Sequence, residues 1–317
     1  MEYTTLGRTG LRVGVAGFGC GGSSRLGQST GASEAQSIAL LHRAIDHGVN
    51  FFDTAAAYGS EAILGAAFRD VSRDSVVLST KSHIASGGQP FDAARVVANL
   101  EHSLGQLNTD YVDIFHLHAV RPEAYDRAVD ELVPALLREQ EKGKIRHLGI
   151  TESPPFDADH RMLQRAFDNE FWDVIMVGFH LMHQGARTSV FPITRARGIG
   201  TLAMFAVRAI FSDPAYLKTT VAELAAAGAV PRSIATDRPL NFLVHQAGAT
   251  SVIDAAYRYA RHQAGADVVL FGTGDPAHLD ANIASILAPP LPSEDLHQIE
   301  KLFGALDGVG LDLPDNR

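Results

Sequence analysis

Cysteine is the scarcest residue here: Cys20 is the one cysteine in 317 residues. It can form no internal disulfide, no CxxC redox pair and no cysteine-based metal site, so a reducing cytoplasm is the expected setting. Positive charge is also short. Lys and Arg number 27 against 36 Asp and Glu, a formal net charge of −9, which offers no basic footprint for a phosphate backbone; nucleic acid is not an expected partner. No segment approaches the roughly 20 apolar residues of a membrane span, and residues 1–10 carry no basic stretch leading into an apolar run. Neither membrane insertion nor secretion is expected.

What the chain has is apolar content, 46% hydrophobic residues, and a length compatible with one large α/β barrel of about 250 residues or more. Short β-rich runs fall at 13–18, 49–52, 76–79, 112–117, 145–150, 174–177, 199–203 and 268–271. Between them the apolar period changes to helical, with stripes at Ile38, Leu41 and Ile45, at Val96, Leu100, Leu104 and Leu107, and at Val129, Leu132, Val133, Leu136 and Leu137. Near-continuous apolar strands alternating with amphipathic helices predict a (β/α)8 TIM barrel, one domain spanning residues 1–317. An N-terminal β-hairpin at residues 3–13, turning at Gly7 to Gly10, is expected to plug the barrel floor. A long insertion after the seventh strand, residues 207–249 with Pro214, Pro231 and Pro239, is expected to carry helices near 216–227 and 240–246. Together with loops 23–30 and 82–90 it should wall a binding site.

Titratable residues cluster just past consecutive strands. Asp53 ends the second run, Tyr58 follows in its loop, Lys81 ends the third and His118 the fourth. In a parallel barrel these positions open on one C-terminal face, where barrel enzymes place their chemistry. Each alone has a bland reading, as helix cap, solvated lysine or packing aromatic; jointly they make a coherent set. A tyrosine hydroxyl, ordinarily of pKa about 10, needs a nearby cation, which typically lowers it by one to three units. Lys81 is the candidate cation, Asp53 its counter-ion, and His118 a donor to a substrate carbonyl oxygen. Such a constellation protonates an alkoxide as hydride reaches a carbonyl carbon, or runs backwards, without a metal.

These segments resemble the aldo-keto reductase superfamily. The resemblance runs through residues 48–61 (Gly-Val-Asn-Phe-Phe-Asp-Thr-Ala-Ala-Ala-Tyr-Gly-Ser-Glu), Lys81 after Val-Leu-Ser-Thr, residues 110–118 ending in His118, residues 143–150, and residues 272–282. It implies an NAD(P)-dependent oxidoreductase, an alcohol or aldose dehydrogenase, moving hydride between nicotinamide and a small carbonyl or alcohol substrate: an aldehyde, ketone or sugar. Tyr58 would be general acid in reduction and base in oxidation, with Asp53, Lys81 and His118 completing the catalytic set. NADP(H) or NAD(H) would lie along Gly21, Gly22, Asp53, Thr151, Glu152, Met176, Met204, Phe205, Gly272, Thr273, Gly274, His278 and Asn282. The opening Leu6-Gly-Arg-Thr-Gly-Leu and the glycine loop at 17–22 are similar to bacterial sugar and pyridoxal dehydrogenases of that superfamily. Five positions depart from its usual pattern. Thr151-Glu152 stands where a Ser-Asn pair holds the carboxamide, Met176 where a Gln contacts it, and Gly272 and His278 where Lys and Arg meet the 2′-phosphate of NADPH. A weakened preference for NADPH is the expected consequence.

Three rival readings fit less. Gly17 to Gly22 satisfies GxGxxG, but the next helix is expected near Ser33, too late for a dinucleotide fingerprint. His116 and His118 could begin the ligand set of a metal-dependent barrel hydrolase, yet no Asp stands beside the remaining histidines; His116 reads instead as a silent structural histidine. A non-enzymatic cofactor-sensing subunit of reductase-like fold could keep the same residues, and turnover separates it from an enzyme.

Overall fold

A computed structural model describes residues 1–312; residues 313–317, the last of the expected domain, lie outside the described part. Eight strands hydrogen-bond in parallel into a closed barrel: β1 (Ala16–Gly19), β2 (Phe51–Asp53), β3 (Val77–His83), β4 (Val112–Val120), β5 (Ile145–Glu152), β6 (Val174–Gly178), β7 (Gly200–Met204) and β8 (Val268–Phe271). Each strand pairs with its sequence neighbours, and β8 closes on β1 through Val269 opposite Ala16 and Phe271 opposite Phe18.

Period-two alternation sorts the strand residues into two populations. Phe52, Leu78, Phe115, Ile175 and Val269 join the large core shared with the surrounding helices. Phe51, Val77, Ile114, Val174, Leu202 and Val268 instead form a separate apolar layer inside the barrel, closed from below by Leu6 and Val13 of the hairpin. That hairpin pairs Tyr3–Thr5 with Arg12–Gly14, so the floor plug is present. The first predicted strand, 13–18, divides in two: Arg12–Gly14 belongs to the hairpin and Ala16–Gly19 to the barrel.

Two residues above the apolar layer the same inward positions turn polar. Phe51 gives way to Asp53, Val77 to Ser79 and then Lys81, and Ile114 to His116 and then His118. The strand period therefore collects the chemistry at the C-terminal mouth.

The insertion after β7 contains helices Ala209–Ser212 and Pro214–Ala226, the latter capped by Asp213, whose side chain accepts from Ala215 and Tyr216 N–H. The second expected helix, at 240–246, is reduced to one 3-10 turn, Asn241–Leu243. The chain turns back there: Val244 bridges to Ala249, and Gly248 N–H bonds the His245 carbonyl. Too few residues remain between Pro239 and that reversal to propagate a helix. Helix Glu34–Asp46 starts behind a capping box at Ser33 and Gln36, well past Gly22. The glycine loop thus does not open a helix, which removes the Rossmann reading.

Candidate active site

Asp53 sits opposite Ser79 in the β2–β3 register, and Lys81 opposite His116 in β3–β4. Lys81 Nζ donates to Asp53 Oδ2 and to the Thr54 carbonyl, both at 2.6 Å, with the two side chains only 1% and 6% exposed. Burial pulls the Lys81 ammonium down, but the adjacent Asp53 carboxylate and the Tyr58 hydroxyl offset it and the net shift is upward. The ammonium is a fixed buried charge 5.1 Å from the centroid of the Tyr58 ring.

Tyr58 stands on a 3-10 turn, Ala56–Tyr58, and its hydroxyl lies 3.4 Å from His118 Nε2. Two polar atoms at that separation can both reach one oxygen at ordinary hydrogen-bond length. A β-carbon on Gly21 would come within 2.4 Å of the Tyr58 ring, so the absence of a side chain there lets the ring lie flat under the glycine loop. The lowered phenol pKa expected from Lys81 is not the net result. Burial raises the Tyr58 hydroxyl, and Lys81 only partly opposes it.

His118 is aimed by a bulge. Register slips between Leu117 and Val120 in β4, Ala119 adopts φ +53°, and its N–H donates to Thr151 Oγ at 2.7 Å. Bulges of this kind re-aim a neighbouring side chain, and Thr151 acts here as the brace. The His118 ring stacks on His83, centroids 4.2 Å apart and planes within 15°. Sequence reasoning missed His83, although its place two residues after Lys81 on one strand was the available signal. Burial, then Lys81, hold His118 well below the usual histidine range, so it is a neutral imidazole.

Beside these four residues opens a cleft of about 1070 Å³. Its lining includes Tyr58 together with Gly21, Gly22, Asp53, Met176, Met204, Phe205, Gly272, Thr273, His278 and Asn282, the last ten being positions expected along a dinucleotide. The volume suits an extended ligand, and Tyr58, Met204, Phe205, Thr273 and Asn282 line the one cleft. The residues present therefore fit NAD(P)(H). Three expected contacts lie outside the lining. Thr151 braces the bulge; Gly274 packs against Gly27; Glu152 is buried, its carboxylate paired with His160 Nδ1 at 2.9 Å and accepting the Gly178 N–H at 2.7 Å. Among the described residues no group of three or more His, Cys, Asp or Glu could hold a metal ion, and His116 bonds Ser79 instead.

The aldo/keto reductase family model matches residues 18–303, and the chain belongs to that family. It is therefore an NAD(P)-dependent oxidoreductase. L-galactose dehydrogenase of Arabidopsis thaliana is 34% identical over 210 residues, 64% of each chain. The aldo-keto reductase YhdN of Bacillus subtilis (strain 168) is 28% identical, with 96% of this chain and 94% of that one aligned. In fold, the chain is similar to the holo form of aldo-keto reductase AKR11C1 from Bacillus halodurans: TM-score 0.73 and 20% identity, covering 98% of this chain and 100% of that one. No helix among the described residues is long and apolar enough to cross a membrane.

The buried imidazoles set the acid stability. His116, His118, His180 and His183 are all held below the ordinary histidine value, first by burial, His183 to about 3. A histidine whose folded pKa is depressed takes a proton only on unfolding, so its stability contribution is lost as pH falls below the unfolded value of about 6.5. The slope approaches about 1.4 kcal/mol per pH unit for each imidazole. His160 opposes this: burial lowers it, but Glu152 brings the net shift upward. The urea midpoint is expected to drop steeply between pH 6.5 and 5, above the range where carboxylates titrate. A midpoint flat across that window contradicts the neutral buried state.

Proposed function

We propose that the protein interconverts an alcohol and a carbonyl compound, with Tyr58 moving the proton, and that its substrate is a small polyhydroxylated one of the aldose class. The carrying observation is the 3.4 Å approach of the Tyr58 hydroxyl to His118 Nε2 beside the cleft, where both can hold one substrate oxygen. Nicotinamide, when bound, supplies or accepts the hydride. Tyr58, protonated at neutral pH because burial raises it, donates to the oxygen in reduction and recovers the proton in oxidation. His118 orients that oxygen as a neutral imidazole. Lys81 stabilises a developing phenolate, and Asp53 keeps the ammonium charged and in place. The sugar assignment rests on the likeness to L-galactose dehydrogenase and on the sugar-dehydrogenase style of the N-terminal half. The buried lone Cys20 suits a reducing cytoplasm. Formation of NADH or NADPH with L-galactose, other aldoses and simple aldehydes as substrates is the direct test. Turnover of simple aldehydes with none of any aldose overturns the substrate class.

For the cofactor we infer that NAD(H) serves at least as well as NADP(H). Gly272 and His278 replace the cations of the family pattern, and helix Pro276–Leu287 has its N-terminus already filled. The Asp275 carboxylate accepts from Ala277 N–H at 2.7 Å and His278 N–H at 3.0 Å, the groups that would otherwise meet a phosphate. Of the two arginines in the lining, Arg258 donates to the carbonyls of Gly248, Pro289 and Pro290, and Arg208 donates to the Asp312 carbonyl and lies over the Phe205 ring. Fluorescence titration is expected to give a dissociation constant for NADH equal to or below that for NADPH. NADPH bound a hundredfold more tightly overturns the inference.

A further inference from the structure

Behind Asp53 runs a second set of hydrogen bonds that the reaction as described does not use. Ser79 Oγ lies 2.9 Å from Asp53 Oδ1, and His116 Nε2 lies 3.1 Å from Ser79 Oγ; all three residues are buried. Counting hydrogens fixes the direction. A carboxylate paired with an ammonium only accepts, and a serine hydroxyl has one hydrogen. Ser79 therefore gives its hydrogen to Asp53 and has only lone pairs left for His116, so His116 Nε2 carries a hydrogen and donates it. Its Nδ1 is buried with no hydrogen-bond partner. The ring is wedged against the backbone of β5: a β-carbon on Gly149 would meet Nδ1 at 2.2 Å, so glycine at 149 is what admits the ring at this depth. Opposite His116 in the register stands Lys81, which disfavours an imidazolium there. The hydrogen count places a hydrogen on Nε2, and burial, then Lys81, keep the ring neutral, so that this is its one hydrogen.

We propose that His116 and Ser79 form a positioning relay, His116→Ser79→Asp53, that locks Asp53 Oδ1 so that Oδ2 stays on Lys81 and thereby sets the proton affinity of Tyr58. A terminal carboxylate torsion is broad, and the Ser79 hydrogen bond to one oxygen fixes the plane in which the other meets the ammonium. The two donors also spread the charge of Asp53, which otherwise acts to raise Tyr58. The relay makes His116, a silent residue by its sequence, part of the acid–base apparatus at one remove. This inference rests on the proposed role of Tyr58.

Its test is a double-mutant cycle read as a pH profile of kcat for alcohol oxidation, with Tyr58→Phe as reference. Ser79→Ala is expected to lower kcat about ten- to hundredfold through misplacement of the acid–base group, to leave KM within about twofold, and to move the limb that reports Tyr58 to higher pH. Ser79→Thr, which keeps the hydroxyl, is expected to restore the limb. In the Ser79→Ala background, His116→Leu should add little, because its route to Asp53 is already cut. NADH titration and thermal melting establish that each variant is folded. Should His116→Leu not fold, His116→Gln, which keeps an N–H to give, is expected to retain the parent profile. A limb unmoved by Ser79→Ala, or losses from the two substitutions that simply add, overturns the relay alone. Turnover that survives Tyr58→Phe overturns the role of Tyr58 and the relay with it.

Discussion

Tyr58→Phe is expected to cut kcat by about 10²- to 10⁴-fold, the usual worth of a positioned general acid, while the NADH dissociation constant stays within about twofold. The variant removes one oxygen and keeps the ring. The edge-on contact with His118 at 5.7 Å, the Lys81 ammonium 5.1 Å from the centroid and the seat under Gly21 all belong to the ring. The hydroxyl meets His118 Nε2 at 3.4 Å and contributes little to holding the fold. A pH signature goes with the loss. Burial raises the Tyr58 hydroxyl above its ordinary value against the pull of Lys81, so the phenol is protonated at neutral pH. Reduction finds its acid ready, whereas oxidation gains as pH rises toward the phenol value. The parent's oxidation rate should climb through the alkaline range and that climb should vanish in Tyr58→Phe. An unchanged kcat removes Tyr58 from the chemistry.

Asp53, Lys81 and His118 were legible because each stands at or just past the end of an apolar run, and the C-terminal ends of such runs share a face in a parallel barrel. Tyr58 was legible through its motif. Register was not, since which residue of β3 stands opposite which residue of β4 depends on the stagger of the closed barrel, a property no local pattern carries. That is why Ser79 and His83 went unread and why His116 read as a silent structural histidine. Glu152 was misplaced for a related reason. Its position at the C-terminal end of β5 suggested the cleft, but the ring that claims it, His160, enters from the start of the helix Arg161–Ala166 in a left-handed conformation, φ +57°, which the sequence does not announce. The net upward shift of Tyr58 was equally hidden. A motif shows that a lysine is near, and only burial shows that its pull is outweighed. The inner layers, by contrast, were implicit in the alternation, because Phe51 to Asp53, Val77 to Ser79 and Ile114 to His116 are each one strand period.

Asp53→Ala should be among the most destabilising single changes in the chain. It strands the Lys81 ammonium, 1% exposed, with the Thr54 carbonyl as its remaining hydrogen-bond acceptor among the contacts described above. Removing one partner of a buried pair typically costs about 3–5 kcal/mol, because the charge left behind is uncompensated. The double variant Asp53→Ala/Lys81→Met removes the stranded charge, and pairs replaced by apolar groups are often neutral or better. It should recover most of the urea midpoint while remaining inactive, separating the structural from the chemical work of the pair. The pH dependence follows from signs. In the parent, Lys81 is raised by Asp53 against its burial, so its stabilisation is fully present below the unfolded lysine value of about 10.4 and is lost as pH rises through the folded value. In Asp53→Ala the largest of the groups opposing burial is gone, and the folded value is expected to fall below the unfolded one. Its penalty is then largest at low and neutral pH and shrinks as pH climbs toward the unfolded value. The gap in stability between parent and variant should therefore narrow between pH 7 and 10, measured by urea unfolding at each pH. A gap below about 1 kcal/mol at pH 7 would mean that water reaches the ammonium when Asp53 is absent, and that the barrel interior at Lys81 is not the dry site on which the Tyr58 chemistry depends.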